Sequence, residues 1–500
     1  MRRVRVVLIT AALALLTAPA LSGAAAADPP PPATGLAALG LDQTGRWITD
    51  ATGRVVVLHG VNQVYKVAPY APSTDGFDDD DAAFLADNGF NAVRVGVIWS
   101  AVEPRPGQYD DAYLDSVAST VHTLAAHGIV SQLDFHQDLY NEKFQGEGAP
   151  AWAVPNDALA GLLPNPPLGF PYNYLANPAE WHAWDRFWAN AKAADGVGLQ
   201  DHYARAWAHV AARFATDRAV AGYDVMNEPW AGTLWEPCLL PLIGCPLFDG
   251  GALTAFYNRV DAAIRTVDPT HTIYIEPNVL FTQVNATGLR SPSGARRGFS
   301  FHDYCSTEEL TGNNALCPPQ DDLTVATANR FAQSHDMPAL LTEFGATNDL
   351  ANVASVMRIA DKYRTGWLEW AYTGNDKTSA SPDGQALVLD PSKPPIGANV
   401  LTAKLRTLAE PYPQLVAGTP TSWSFANGVF RLTYTTARVD GFGAFSAGTA
   451  TEIAVPAIQF PGGYRVAVSG ATVVSAPNAA TLRLASLPGA TTVQVAVSAA

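Results

Sequence analysis

The sequence predicts an α/β fold, a (β/α)8 TIM barrel followed by a small C-terminal all-β sandwich domain. Three observations carry that prediction. Apolar strand candidates alternate with helical stretches about eight times over roughly 370 residues, a pattern that gives parallel strands joined by crossover helices. Polar residues gather at the C-terminal ends of those strands: Asn62, Arg94, His136, Asn227, Glu228, His302, Tyr304, Glu343 and Trp370. A barrel carries all such ends to one face, whereas an open doubly wound sheet, the competing architecture, spreads them along a crevice. After Pro411 the composition changes: residues 413–500 contain no Lys, His or Cys and alternate Val, Thr, Ala and Ser between Gly and Pro turns.

Taken in order, residues 1–27 read as a secretory signal peptide. Arg2, Arg3 and Arg5 precede the apolar run Val6 to Leu16, and Ala25 and Ala27 sit at small-residue cleavage positions. No other stretch approaches ~20 apolar residues, so no membrane span is expected and the mature chain is expected outside the cell. Residues 28–40 form a proline-rich linker. The barrel is expected over 41–411 and the sandwich over 412–500.

Arg46 to Leu58 reads as a hairpin around Ala51-Thr52-Gly53, leading into a short strand, Val55 to Asn62. Helices are expected over 78–88, 111–127, 202–217, 252–267, 323–335, 353–363 and 399–409. The first is acidic at its start, where the helix dipole favours negative charge, and Gly128 stops the second. The further strands are expected over 91–99, 129–136, 220–228, 272–276, 299–304, 339–343 and 366–372. A long, proline-rich insertion runs to about Gly198.

The formal charge of −15 and pI near 5.0 exclude the basic footprint of a nucleic-acid binder. No glycine-rich phosphate loop follows a strand, so no nucleotide cofactor is implied. Four cysteines in an exported chain point to disulfides, and sequence proximity favours Cys238–Cys245 and Cys305–Cys317; neither pair has zinc-site spacing.

The chemistry concentrates in GYDVMNEPW (222–230) and PALLTEFGA (338–346). Each is an apolar run that ends in a carboxylate, Glu228 or Glu343, and two facing carboxylates are what acid–base and nucleophilic work at a sugar carbon require. Pro229 stops the first strand because it has no N–H to donate.

Arg94, LDFHQD with His136, MNEP with Glu228, FHDY with Tyr304, TEFG with Glu343, and Trp370 together resemble glycoside hydrolase family 5, retaining glycosidases on (β/α)8 barrels. More narrowly, LDFHQDLYNEKFQGEGAPAWA (133–153) and Lys66 resemble the endoglycoceramidases, which release oligosaccharide from ceramide. The resemblance spans about residues 40–410 and extends to the C-terminal sandwich. It implies Glu228 as general acid/base and Glu343 as nucleophile in a double displacement with retention. Arg94 and Tyr304 would keep Glu343 ionised, and His136 and His302 would support the site. Asn227, Lys66, Asp138, Trp188 and Trp370 would contact sugar. Each of these has a plainer role open to it, a core histidine, an ion pair or a core tryptophan. The chemistry implies no cofactor and no metal.

Two apolar stretches, LAGLLPNPPLGFPYNY (159–174) and LLPLIGCPLF (239–248), suit an amphiphilic substrate or a packed lid. The partners expected are a glycolipid or oligosaccharide and a transient membrane surface, with no nucleic acid and a monomeric chain. The competing functions are an endoglycanase or β-glucosidase of the same family, and a sugar-binding protein on a hydrolase scaffold.

Overall fold

The computed structural model describes residues 31–290, 294–311, 313–374 and 385–500. The segment expected to be a signal peptide lies outside them.

Eight parallel strands close into a barrel: β4 (His59–Gln63), β5 (Ala92–Val97), β6 (Val130–Phe135), β7 (Val220–Asp224), β8 (Thr272–Ile275), β9 (Arg297–Asp303), β10 (Ala339–Phe344) and β11 (Gly366–Glu369). Each pairs with its neighbours in chain order and β11 closes on β4. β5 and β6 are buried along their whole length, as strands covered on both faces must be. Gly60 is required where β4 meets β5: a Cβ there would lie 1.8 Å from the Ala92 carbonyl oxygen.

The helices form where capping and periodicity ask for them. Asp78 caps Asp79–Asp87 in a reciprocal capping box with Asp81, and Asp110 accepts the Tyr113 N–H at the start of Asp111–Ala126. Inside the insertion Asn177 caps Pro178–Trp188, with proline at the first helical position. Three helices begin well ahead of their expected positions, among them Leu350–Tyr363, three residues early. Leu199–Phe214 starts three residues ahead of the expected position, and Cys317–Ser334 starts six ahead, because Pro318 and Pro319 suit a first turn whose N–H groups have no helical partner. Among the described residues no helix is long and apolar enough to cross a membrane.

The expected hairpin around residues 51–53 forms, but it belongs elsewhere. β1 (Leu41–Thr44), β2 (Trp47–Asp50) and β3 (Val55–Val56) extend the sandwich rather than the barrel. β3 pairs with β12 (Tyr412–Val416) through Val56 and Leu415. The sandwich then consists of a seven-stranded sheet, β1-β2-β3-β12-β15-β18-β17, and a four-stranded sheet, β13-β14-β19-β16. Here β13 is Thr419–Ala426, β14 Val429–Thr435, β15 Ala450–Ala454, β16 Tyr464–Ser469, β17 Ala471–Val473, β18 Thr481–Ser486 and β19 Thr492–Ala499. The expected boundary at residue 41 is therefore moved: about fifteen residues at the start of the barrel segment pair with strands from the end of the chain.

The two domains share buried contacts at the N-terminal ends of the barrel strands, opposite the polar residues. The His59 ring is stacked between Trp367 and Tyr412, with centroids 4.2 and 3.8 Å away. Trp423 is buried and its indole donates to Asp361 at 2.6 Å.

Candidate active site

At the other end of the barrel Arg94, buried on β5, is the hub. Its guanidinium lies 3.0 Å from Asp134, 3.0 Å from Asp224, 3.0 Å from Glu276 and 2.5 Å from Glu343, and it donates to Asn227 Oδ1 at 3.0 Å. A planar cation with five donors can serve this many acceptors at once; an ammonium cannot. Each carboxylate comes from a different strand end, so closure of the barrel is what brings them together.

Glu343 at β10 has Arg94 on one oxygen and the Tyr304 hydroxyl, 3.0 Å away, on the other. Glu228, just beyond β7, lies hydrogen-bonded to His302, with Oε1 2.9 Å from Nδ1. One oxygen of each glutamate and a ring nitrogen of His302 lie within 4.8 Å of one another. That spacing suits a nucleophile facing an acid/base and is too short for the water an inverting pair must admit.

The surroundings drive the two carboxyl groups apart. Burial pushes Glu228 upward, and the nearby charge of Glu343 adds to it, against the pull of His302. Burial pushes Glu343 upward as well, but His302, Arg94, His136 and Lys66 overcome it and hold Glu343 below its ordinary value. The surroundings thus favour the proton on Glu228 and the charge on Glu343.

The backbone beneath Glu228 is shaped for this. Glu228 stands in the left-handed region at φ 42°, a conformation that costs a non-glycine residue on the order of 1 kcal/mol. Its N–H donates to Glu276 Oε2 at 3.0 Å. Gln137 Nε2 donates to the carbonyls of both Asn227 and Glu228, at 2.9 and 3.0 Å, which gives the HQD segment a physical task.

A second group lines the same mouth. Lys66 pairs with Asp138, and its ammonium sits 4.4 Å above the Trp370 ring. His136 stacks on Trp370 with centroids 5.2 Å apart and is held through Nδ1 by Asp134 at 2.7 Å. Burial and Lys66 work against charge on His136, but Asp134 and Asp138 raise it to about 9.

The residues expected from the sequence are thus brought together, with two qualifications of role. Both ends of the Asn227 amide are engaged by protein, Oδ1 by Arg94 and Nδ2 by the Gln137 carbonyl. Trp188 is used in packing: it stacks on Trp184, meets Phe248 edge-on and donates to the Trp230 carbonyl at 2.8 Å. The two disulfides form as expected, Cys238–Cys245 and Cys305–Cys317.

Sequence reasoning missed Glu276, Asp224 and the buried pair of Glu369, the residue before Trp370, with Lys404, 2.7 Å apart. Glu276 had a signal: Ile275-Glu276-Pro277 ends its strand as Met226-Asn227-Glu228-Pro229 ends β7. Asp224 and Lys404 had none, since a carboxylate inside the expected strand 220–228 and a lysine in a helix look solvated until the fold buries them.

The two apolar loops lie exposed. Between Cys238 and Phe248 the chain carries no charge, and Leu242 and Leu247 are 69% and 88% exposed. Tyr174 and Phe248 are buried instead, Tyr174 against Trp230 and Phe248 against Trp188.

Comparison with known proteins agrees with this geometry. Residues 49–376 match the cellulase model of glycosyl hydrolase family 5, and residues 411–497 match the family's C-terminal domain. The chain is 34% identical to endoglycoceramidase I of Rhodococcus hoagii over 463 residues, 90% of this chain and 86% of that one. It is 30% identical to an endoglycoceramidase of Cyanea nozakii over 401 residues, 76% and 77% of the two chains. The solved structure of endo-glycoceramidase II from Rhodococcus sp. superposes with a TM-score of 0.74 at 32% identity, covering 91% of this chain and 99% of that one. That enzyme has also been captured as a lactosyl-enzyme intermediate and with ganglioside GM3. With a barrel closed in the same way, a matching second domain and a facing glutamate pair at the strand ends, the chain belongs to glycoside hydrolase family 5.

Proposed function

We propose that this protein is a retaining glycosidase that cleaves the β-glycosidic bond between glycan and ceramide in glycosphingolipids. The observation that carries the reading is the pair Glu228 and Glu343, close enough for a covalent mechanism and pushed by their surroundings in opposite directions. Glu343 attacks the anomeric carbon while Glu228 protonates the leaving oxygen. Water, activated by Glu228, then releases the glycan from Glu343. Arg94 and Tyr304 keep the nucleophile ionised, and the polar wall of Lys66, Asp138, His136 and Trp370 receives sugar hydroxyls and a ring face.

The lipid half of the reading is supported by the relatives' names and by the exposed leucines of the 238–245 loop, which follows β7 in the chain. That loop is suited to receive the ceramide chains or to touch the membrane they lie in. The basic and apolar start of the sequence supports export to the same membrane surface from outside.

The deciding experiment incubates purified protein with GM3, glucosylceramide, cellulose and mannan and separates the products. Intact oligosaccharide plus ceramide from GM3 supports the reading. Turnover of the polysaccharides alone would return the protein to the endoglycanases, and turnover of glucosylceramide alone would narrow it to a simple glucosylceramidase.

A further inference from the structure

We propose that Glu276 is a positioning residue for the acid–base step, fixing His302 as a hydrogen-bond donor to Glu228 while holding the Glu228 backbone in its left-handed turn. The inference rests on the glycosidase reading and assigns the part of a residue outside the pair that meets the sugar.

Glu276 follows β8 and is buried. Two fixed donors, the Arg94 guanidinium and the Glu228 N–H, point at its carboxylate, and a His302 ring nitrogen lies beside them. Arg94 Nη2 stands 3.0 Å from Oε1, His302 Nε2 stands 3.3 Å from the same oxygen, and the Glu228 N–H reaches Oε2 at 3.0 Å. Burial pushes the Glu276 carboxyl upward, but the Arg94 guanidinium and the Glu228 N–H are donors that a proton on Glu276 could not use, and they favour the anion. The other titratable groups facing this cluster are Asp224, Glu343 and the Tyr257 hydroxyl, which donates to the Glu276 carbonyl at 2.8 Å.

An anion at Nε2 holds a proton on that nitrogen. Glu228 and Glu343, 2.9 and 3.5 Å from Nδ1, hold one on the other. With Nδ1 occupied, His302 can only donate to Glu228 Oε1, and the acid's own proton stays on Oε2 for the leaving oxygen. Were His302 neutral with a bare Nδ1, it would accept the Glu228 proton itself and the leaving oxygen would lose its donor. Glu276 takes up no proton in the cycle; it sets which way the Glu228–His302 bond runs.

Glu276→Gln keeps an acceptor for the Glu228 N–H and removes only the charge. Two substrates with one sugar separate the roles: an alkyl glycoside, which needs the acid, and a 2,4-dinitrophenyl glycoside, which does not. We expect kcat/KM to fall at least about a hundredfold on the first and less than about tenfold on the second. The alkaline limb of the pH profile should move down by about one unit, because removing a negative charge weakens proton binding at His302 and Glu228. Equal losses on both substrates with an unmoved limb, or no loss on either, would overturn the proposal.

A measurement on the unaltered protein covers the case of a variant that does not fold. Nitrogen-15 spectra of labelled histidine should show His302 protonated on both nitrogens at pH 7, and a neutral ring would overturn the proposal. If the unaltered protein cleaves neither glycoside, the glycosidase reading falls, while the histidine spectrum still decides the orientation of this bond.

Discussion

Glu228 and Glu343 are one kind of side chain in two surroundings, and the difference is a matter of donors. Glu343 receives a guanidinium and a phenol on its two oxygens, whereas Glu228 receives one imidazole and is otherwise enclosed. Glu228→Gln and Glu343→Gln should each lower glycolipid hydrolysis by about 10²–10⁴ or more, with a thermal transition close to that of the parent. Product release and a melting curve on the same samples check both halves; comparable turnover in either variant defeats the assignment. The pH profile follows from the same contacts. Activity is lost as pH falls through the Glu343 value, held below the ordinary carboxylate range, and as pH rises through the Glu228 value, pushed above it. A bell whose limbs fall on either side of about pH 4.3 is expected for kcat/KM. A profile with both limbs on one side would mean that the roles of the pair are misassigned.

Elements decide what the pair is offered. The loop after β7 projects Leu239, Leu242 and Leu247 into solvent from a segment tied at both ends by Cys238–Cys245 or its flank. Replacing these three by Ser should raise KM for ceramide-linked substrates several-fold and leave small aryl glycosides nearly unchanged; equal losses on both would remove the loop from lipid handling. Phe248 does not belong in that test. It packs under Trp188, and Phe248→Ser should cost about 3–5 kcal/mol of stability, the toll of emptying a core aromatic site. The contrast shows what was legible in the sequence. Strand ends such as NEP and TEF could be read because an apolar run that stops at a carboxylate is anomalous in one dimension. Phe248 looked like its neighbours because apolar residues carry no mark of which way they face. Trp188 was read as a sugar contact from the family resemblance, and Asp224 passed unnoticed because its partners, Arg94 and Ser300, lie on strands far away in sequence. The hairpin at residues 46–58 was recognised as a hairpin, but the choice between pairing with the next strand and pairing with one some 360 residues on is made by long-range packing.

That long-range pairing makes the barrel and the sandwich one body. β3 and β12 are hydrogen-bonded, His59 of the first barrel strand is clasped by Tyr412, and Trp423 reaches into the barrel to Asp361. Burial holds the Asp361 carboxyl well above its ordinary value, with Glu410 adding to it and the Trp423 indole pulling back. A carboxyl raised on folding contributes stability that is fully present below its unfolded value, about 3.9, and is lost as pH rises through its folded value. Asp361→Asn keeps an acceptor for the indole and cannot ionise, so it should raise the melting temperature at pH 8 and change it little at pH 4. An equal shift at both would show that this carboxyl is not the source. The sharper test removes the sandwich. A chain ending at Pro411 would leave β1, β2 and β3 without the rest of their sheet and would strip the cover from His59 and Trp367. Such a barrel is expected to be recovered insoluble, and the intact protein should unfold in a single calorimetric transition, because neither half keeps its core without the other. Two separated transitions, or a soluble truncated barrel with the parent's melting temperature and turnover, would mean that the shared sheet joins the domains without supporting either.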